Sequence, residues 1–268
     1  MSFCLRSSAL APHGVLSVGY WCGCLSWRMP QYCSCCYADS RMLVSSPHPQ
    51  RSFGAADPAN VYRVMTLAAH DVAEPVEDVP VVTAEELLQR YAAGERDFQG
   101  VRVCGDLACA DLRGIHWSNA DLSGVNFTGA DLRGADLQGC RLRRATLVGA
   151  DLRCAELREA DLSQADCSAA RLAGVTLDWA NLHSACLRGA DLNWTSLLRA
   201  QLNSANLSEA SLQGADLRGA YLLCADLLDA NLEDAHFEWS NCLDANFAGA
   251  NLEGTHFEHA NLMGTLHG

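Results

Sequence analysis

The sequence predicts an all-β solenoid with a short helix over its N-terminal end, and three observations carry that prediction. From Leu107 to Leu262 a Leu, Phe, Cys or Trp recurs at every fifth position. Two residues before nearly every one of them stands Ala or another small residue, as in Ala130-Asp131-Leu132-Arg133-Gly134 followed by Ala135-Asp136-Leu137-Gln138-Gly139. Just upstream, Thr83-Ala84-Glu85-Glu86 has the reciprocal side-chain pattern of a helix start.

Residues 1–64 stand outside the repeat. They hold six of the 14 cysteines (Cys4, Cys22, Cys24, Cys33, Cys35 and Cys36), several Pro and Ser, and no sustained periodicity. Pro12, His13 and Gly14 interrupt the apolar stretch and no clean small-residue cleavage site follows, so the segment is a poor signal peptide. Nor is any stretch long and apolar enough to span a membrane. The expectation is a disordered Cys-rich leader, or coding sequence upstream of a true start at Met65. Zinc held by Cys24, Cys33, Cys35 and Cys36 is an alternative, though no two-residue gap with a matching second pair supports it.

Residues 65–97 read as a linker and a capping helix. Thr83 serves as N-cap, Gly94 as the C-terminal stop, and the helix spans about 84–93. Leu87, Leu88 and Tyr91 fall on one face, which suits a lid laid over the first coil, since a solenoid needs its open end covered. Phe98 and Val103 are the first inward residues. The spacing from Val103 to Leu107 then slips by one, which predicts an irregular first coil.

Residues 98–268 form the solenoid. Helices bury residues at a period of 3.6 and strands at 2, so a sustained period of five fits neither. With each unit as one side of a coil, the small residue and the large one point inward, and the Asp or Asn before the Leu and the Gly two after it face water or turn the corner. About 32 such units stack large columns beside small ones, which interdigitate at protein density and leave no internal cavity. His116-Trp117 places a large ring in an inward slot, and Cys167 and Cys242 stand in for Leu.

This pattern of a small residue, Asp or Asn, Leu or Phe and two variable positions resembles the pentapeptide-repeat family over roughly residues 98–266. The resemblance implies a right-handed quadrilateral parallel β-helix, four units per coil, about eight coils and a rod of about 40 Å at the ~4.8 Å spacing of stacked strands. The 20-residue coil is also visible directly, because Asn231-Leu232-Glu233-Asp234-Ala235-His236-Phe237-Glu238 recurs as Asn251-Leu252-Glu253-Gly254-Thr255-His256-Phe257-Glu258. Some members of that family protect DNA gyrase by presenting a rod with the width and charge of duplex DNA. The gyrase protectors pair through a C-terminal helix, which has no counterpart after Thr265-Leu266-His267-Gly268. A last coil left without a cap, with Leu266 at its edge, predicts a tail-to-tail homodimer.

Charge and motif content narrow the function classes. The formal net charge is -13, and all 19 basic residues are Arg, a bias that a GC-rich bacterial genome explains. Such acidity argues against direct nucleic-acid binding, which needs a basic stripe. No Gly-rich phosphate loop, paired carboxylate site or Ser-His-Asp set can be placed, so neither an enzyme nor a cofactor is expected. Cysteines at inward or corner slots suit reduced thiols in the cytoplasm; export to a periplasm or lumen is the alternative if the leader is cleaved. At the 20-residue period Arg113, Arg133 and Arg153 share one outward column, while after Arg218 the chain has only acidic charges: Asp226, Asp229, Glu233, Asp234, Glu238, Asp244, Glu253 and Glu258.

Two surface readings follow. Trp179, Trp194 and Trp239 are outward rings that either anchor a protein partner or pack against their own column, Trp179 with Arg199 as a cation–π pair. His236, Glu238, His256 and Glu258 face outward on adjacent coils and are ligand types that zinc accepts, although a flat face offers no supporting groups to fix them. The expected function is a non-enzymatic protein-interaction or scaffold rod whose partner is unknown. The alternatives are a DNA-mimicking modulator or protector of a type II topoisomerase, and a surface metal-binding rod.

Overall fold

The computed structural model describes residues 79–267; the Cys-rich leader, its zinc alternative and Met65 lie outside the described residues. The described residues all belong to one compact unit.

The repeat is explained by where its backbone N–H groups go. In the unit from Asp131 to Ala135, Asp131 N donates back to Ala110 O (2.9 Å), Leu132 N donates forward to Asp151 O (2.8 Å), and Gly134 N also donates forward, to Arg153 O (3.1 Å). Ala135 N closes the corner on Leu132 O (3.1 Å). One donor is left, Arg133 N, and the Asp131 carboxylate takes it at 3.3 Å. Where an Asp or Asn precedes the large residue, it is therefore the acceptor for the one N–H that no neighbouring backbone carbonyl reaches; at Leu198, Gln213 and Leu223 the preceding coil's Asp178, Asn193 and Asn203 accept instead. The side-chain bond within one unit recurs at Asn126, Asp161, Asn206 and Asn246.

Each corner also places its fourth residue in the left-handed region. Gly134 has φ +66, and non-glycine residues take the same conformation at Glu159 (φ 59), Trp179 (φ 62) and Trp239 (φ 63). A turn of this kind needs φ > 0 at its third position, which is why Gly is frequent there.

Parallel bridges then stack the coils. Asp111, Asp131, Asp151, Arg171, Asp191, Ser211, Asn231 and Asn251 form one continuous ladder, and three further ladders repeat the 20-residue offset on the other sides. The first coil is shorter. Asp97 pairs with His116 and Arg102 with Asp121, each 19 residues apart, and the offset becomes 20 from Asp106 and Asn126 onward. The slip before Leu107 is the cause.

At the N-terminal end β1 (Val81–Thr83) pairs in parallel with β2 (Arg102–Cys104). The helix α1 (Ala84–Ala92) follows, with the Thr83 hydroxyl accepting from Glu86 N at 3.2 Å. It ends at Ala92, with Ala93 as C-cap and Gly94 at φ +98. Leu87 is fully buried and Tyr91 half-buried, its hydroxyl donating to Arg113 O at 2.8 Å. Leu88 departs from the expected apolar face and stays exposed, because burial of Leu87 and Tyr91 turns it away from the first coil. At the other end β3 (Asn246–Phe247) pairs in parallel with β4 (Leu266–His267).

The interior is a continuous apolar column running from Val82 to Phe247. Phe98, Val103, Leu107, Cys167 and Cys242 are all buried in the expected slots. Trp117 is fully buried beside Phe127, with ring centroids 5.6 Å apart at 66°, and its Nε1 has no hydrogen-bond partner among the described residues. Cys140 fills a small-residue slot with its Sγ 2.7 Å from Trp117 O, and burial pushes its thiol up to about 12. Beyond Phe247 burial falls off, and Leu252, Phe257 and Leu262 are partly exposed.

Candidate interaction surfaces

With the interior filled, recognition chemistry lies on the four lateral faces and the ends. The arginine column belongs to the ladder of Asp111, Asp131 and Asp151. Arg113, Arg133 and Arg153 each grip the aspartate two residues earlier through Nε and Nη2, with Nη2–Oδ2 distances of 2.7, 2.6 and 2.7 Å. Arg113 also reaches toward Asp131 (3.7 Å) and Arg133 toward Asp151 (3.9 Å), so charges of opposite sign alternate along the face. The hydrogen bond from Arg133, opposed by partial burial, holds Asp131 below the usual carboxylate range. The outward arginine column is thus a series of ion pairs.

The acidic coils are relieved differently. Asn246 Nδ2 donates to Asp226 Oδ1 (2.8 Å), and Asn251 to Asn231 (3.0 Å), which spares those rungs a stack of like charges. The Asp229, Asp234 and Asp244 carboxylates each lie over the glycine of the next coil, at Gly249, Gly254 and Gly264.

His236 and His256 stack as parallel rings, centroids 4.9 Å apart at 5°. His236 Nδ1 is 3.1 Å from Glu238 Oε1, and His256 Nδ1 is 3.7 Å from Glu258 Oε1. Each imidazole faces the glutamate of its own rung, and among the described residues no three such groups converge as a metal site requires. The four residues named as zinc candidates are arranged as two parallel His–Glu pairs. Burial would raise Glu238, but its own backbone, His236 and Arg218 outweigh that and lower it.

The three outward indoles are 52, 65 and 68% exposed at Trp179, Trp194 and Trp239. Each also touches its own column. Arg199 lies 4.8 Å over the Trp179 ring, Trp194 covers Gly214, and Trp239 stacks on His259 at 4.1 Å. A groove of about 610 Å³ runs between Trp179 and Trp239 and is floored by Gly219. Sequence reasoning paired Trp179 with Arg199 but passed over Gly219; its signal was the 20-residue offset from both Arg199 and Trp239. Leu266 lies in β4 and is 62% exposed, beside Met263 at 72%.

No disulfide joins the described cysteines. Among the described residues no helix is long and apolar enough to cross a membrane.

The family model described as pentapeptide repeats matches in eight copies, over residues 106–144, 126–164, 160–197, 200–238 and 240–265. No curated protein matches the chain. Among solved structures, HetL, a pentapeptide repeat protein involved in heterocyst differentiation regulation from the cyanobacterium Nostoc sp. strain PCC 7120, is 31% identical, covering 69% of this chain and 94% of its own, with a TM-score of 0.33. Rfr23 from the cyanobacterium Cyanothece 51142 is 39% identical over 35% of this chain and 64% of its own, with a TM-score of 0.34. QnrB1, a plasmid-mediated fluoroquinolone resistance protein, is 18% identical over 68% of this chain and 91% of its own, with a TM-score of 0.33.

Proposed function

The chain belongs to the pentapeptide-repeat family, and from that premise we propose that it is a non-enzymatic rod that binds another protein through its lateral faces. In this reading its coils run right-handed, α1 is the lid, the cytoplasm is its compartment, and a second copy docks on the coil that carries Leu266. The observation that supports protein binding is the exposure of three indoles, 52–68%, on a backbone pinned by a hydrogen-bond ladder. Large rings carried on a rigid backbone offer contact area without the cost of ordering the chain beneath them. The test is a pull-down from native extract with the full chain, at low and high salt, beside a triple Trp179, Trp194 and Trp239 alanine variant. A salt-tolerant partner lost with the indoles supports the reading; recovery independent of the indoles sinks it.

A second reading, modulation of a type II topoisomerase by a DNA-like surface, is favoured by one observation. Arg113, Arg133 and Arg153 are neutralised by their aspartates, and beyond Arg218 there are acidic residues and no Arg, so negative charge prevails along that half. That reading requires salt-sensitive capture of the enzyme and a change in supercoiling assays. Capture that survives high salt speaks against it.

A further inference from the structure

Positions 179, 199, 219, 239 and 259 form one column, one residue per coil, occupied by Trp, Arg, Gly, Trp and His. All five sit at left-handed corners, with φ of 62, 55, 67, 63 and 63. Planar groups pair at both ends of the column: Arg199 on Trp179 at 4.8 Å, and Trp239 on His259 at 4.1 Å and 24°. Between the pairs Gly219 supplies no side chain; the Arg199 stem borders it, with Cγ 3.3 Å from where a β-carbon would stand, and beyond that stem a groove of about 610 Å³ opens, lined by Trp179, Leu198, Arg199, Arg218, Gly219 and Trp239. Successive rungs lie about 4.8 Å apart, so the two rungs from Arg199 to Trp239 span about 10 Å. That is the room one more planar group needs to continue the stack at the rung spacing already kept by Trp239 and His259.

We propose that this vacant rung seats an aromatic side chain of a partner protein that carries a carboxylate beside it. The inference rests on the protein-binding reading above. The charge requirement comes from the arginines. Among the described residues no carboxylate forms an ion pair with Arg199, and Arg218 uses Nε and Nη2 on Asp216, at 2.8 and 2.6 Å. An aromatic ring gains from a guanidinium stacked on one face and an indole on the other. A carboxylate next to it meets Arg199 and the outer edge of Arg218. A nucleic-acid strand would bring repeated phosphates to a chain of net charge -13, which disfavours it.

The test uses indole-3-acetate as probe on the full chain, followed by the indole N–H resonances of the tryptophans in NMR spectra. Signals of Trp179 and Trp239 shift with saturation, while Trp194 and the buried Trp117 stay fixed. Tryptamine, the same ring with the opposite charge, binds at least fivefold more weakly, and cyclohexylacetate, which lacks the ring, does not shift them. Gly219→Trp fills the rung and abolishes the response. It keeps the fold because Trp179 and Trp239 already occupy the same corner conformation, although the Arg199 Cγ, 3.3 Å from where the new β-carbon would stand, must shift; a melt that stays cooperative while its midpoint falls verifies that. Arg199→Gln, which leaves the groove open, reduces the charge preference. Shifts at Trp194 equal to those at Trp239, binding retained by Gly219→Trp, or tighter binding of AMP than of indole-3-acetate would each overturn the proposal, the last in favour of a nucleotide. A silent titration overturns the slot alone, because the pull-down judges the parent reading independently.

Discussion

Trp194 covers Gly214, the residue one coil along in its own column, and its Cη2 lies 2.8 Å from where a Gly214 β-carbon would stand. The two residues are thus a matched pair, a large ring made tolerable by the absence of a side chain beneath it. Gly214 also has φ +62, where an alanine costs roughly 1–2 kcal/mol. Gly214→Ala should therefore destabilise by about that amount. Because Trp194 is exposed and can swing aside, most of the loss should persist in a Trp194→Ala background; a double-mutant cycle from denaturant melts measures the coupling.

Leu152 is buried at 1% between Leu132 and Leu172 in the large-residue columns. Leu152→Ala should cost about 2–5 kcal/mol, the range for a core cavity. Leu152→Asp should abolish or truncate the rod, since it places a charge where nothing can solvate it. Unchanged thermal stability in either variant would contradict the inward assignment.

Acid should weaken the arginine ladder. The hydrogen bond from Arg133, against partial burial, lowers the Asp131 carboxyl in the folded state, and Arg113 and Arg153 do the same for Asp111 and Asp151. A lowered folded value means that the stability from these pairs is complete above the unfolded carboxylate range near pH 4 and is lost as pH falls through the folded values. Asp131→Asn retains an acceptor for Arg133 N but not the charge. Its melting temperature should fall below that of the parent at pH 7 and approach it near pH 2.5; an equal gap at both pH values would refute the electrostatic account.

Thiol reactivity should divide by burial. Burial pushes Cys140 and Cys167 up to about 12 and Cys242 to about 11, whereas Cys104, Cys109 and Cys154 are exposed. At pH 8 iodoacetamide should modify the exposed three and spare the buried three until the chain is denatured, as read by peptide mass spectrometry. Early labelling of Cys167 would show that the coils open locally.

The proposed contact between two copies places Leu266 and Met263 at its centre, exposed by 62 and 72%. Leu266→Arg should shift the sedimentation mass from two chains to one. A mass unaffected by the substitution would move the interface elsewhere.

Much of this architecture was legible because each inward residue repeats the same small-then-large pair, so Leu132 and Ala135 declare their burial without any long-range information. The short first coil was legible for the same reason, from the spacing between Val103 and Leu107. The role of Asp131 was not. Sequence alone shows a polar residue before a leucine, and only the ladder reveals that Arg133 N would otherwise lack an acceptor. Side-chain pairings across coils were harder still. Arg133 looks like a free charge until the turn brings its guanidinium onto Asp131, and the stacking of His236 on His256 shows only once the coils are laid over one another. Leu88 misled because a short helix shows too few turns to separate two adjacent leucines.

The 20-residue offset makes the coil a clock face with four hours, and the chain's length encodes angle. Removing one whole coil between Trp179 and Trp239 would leave both indoles on one side and bring them a rung closer. Removing a single five-residue unit would preserve the core's alternation of small and large yet rotate everything downstream by a quarter turn, carrying Trp239 away from Trp179. Gains and losses of repeat units in such a chain therefore act as dial settings, able to regroup the same side chains into new surfaces while the interior registers no change.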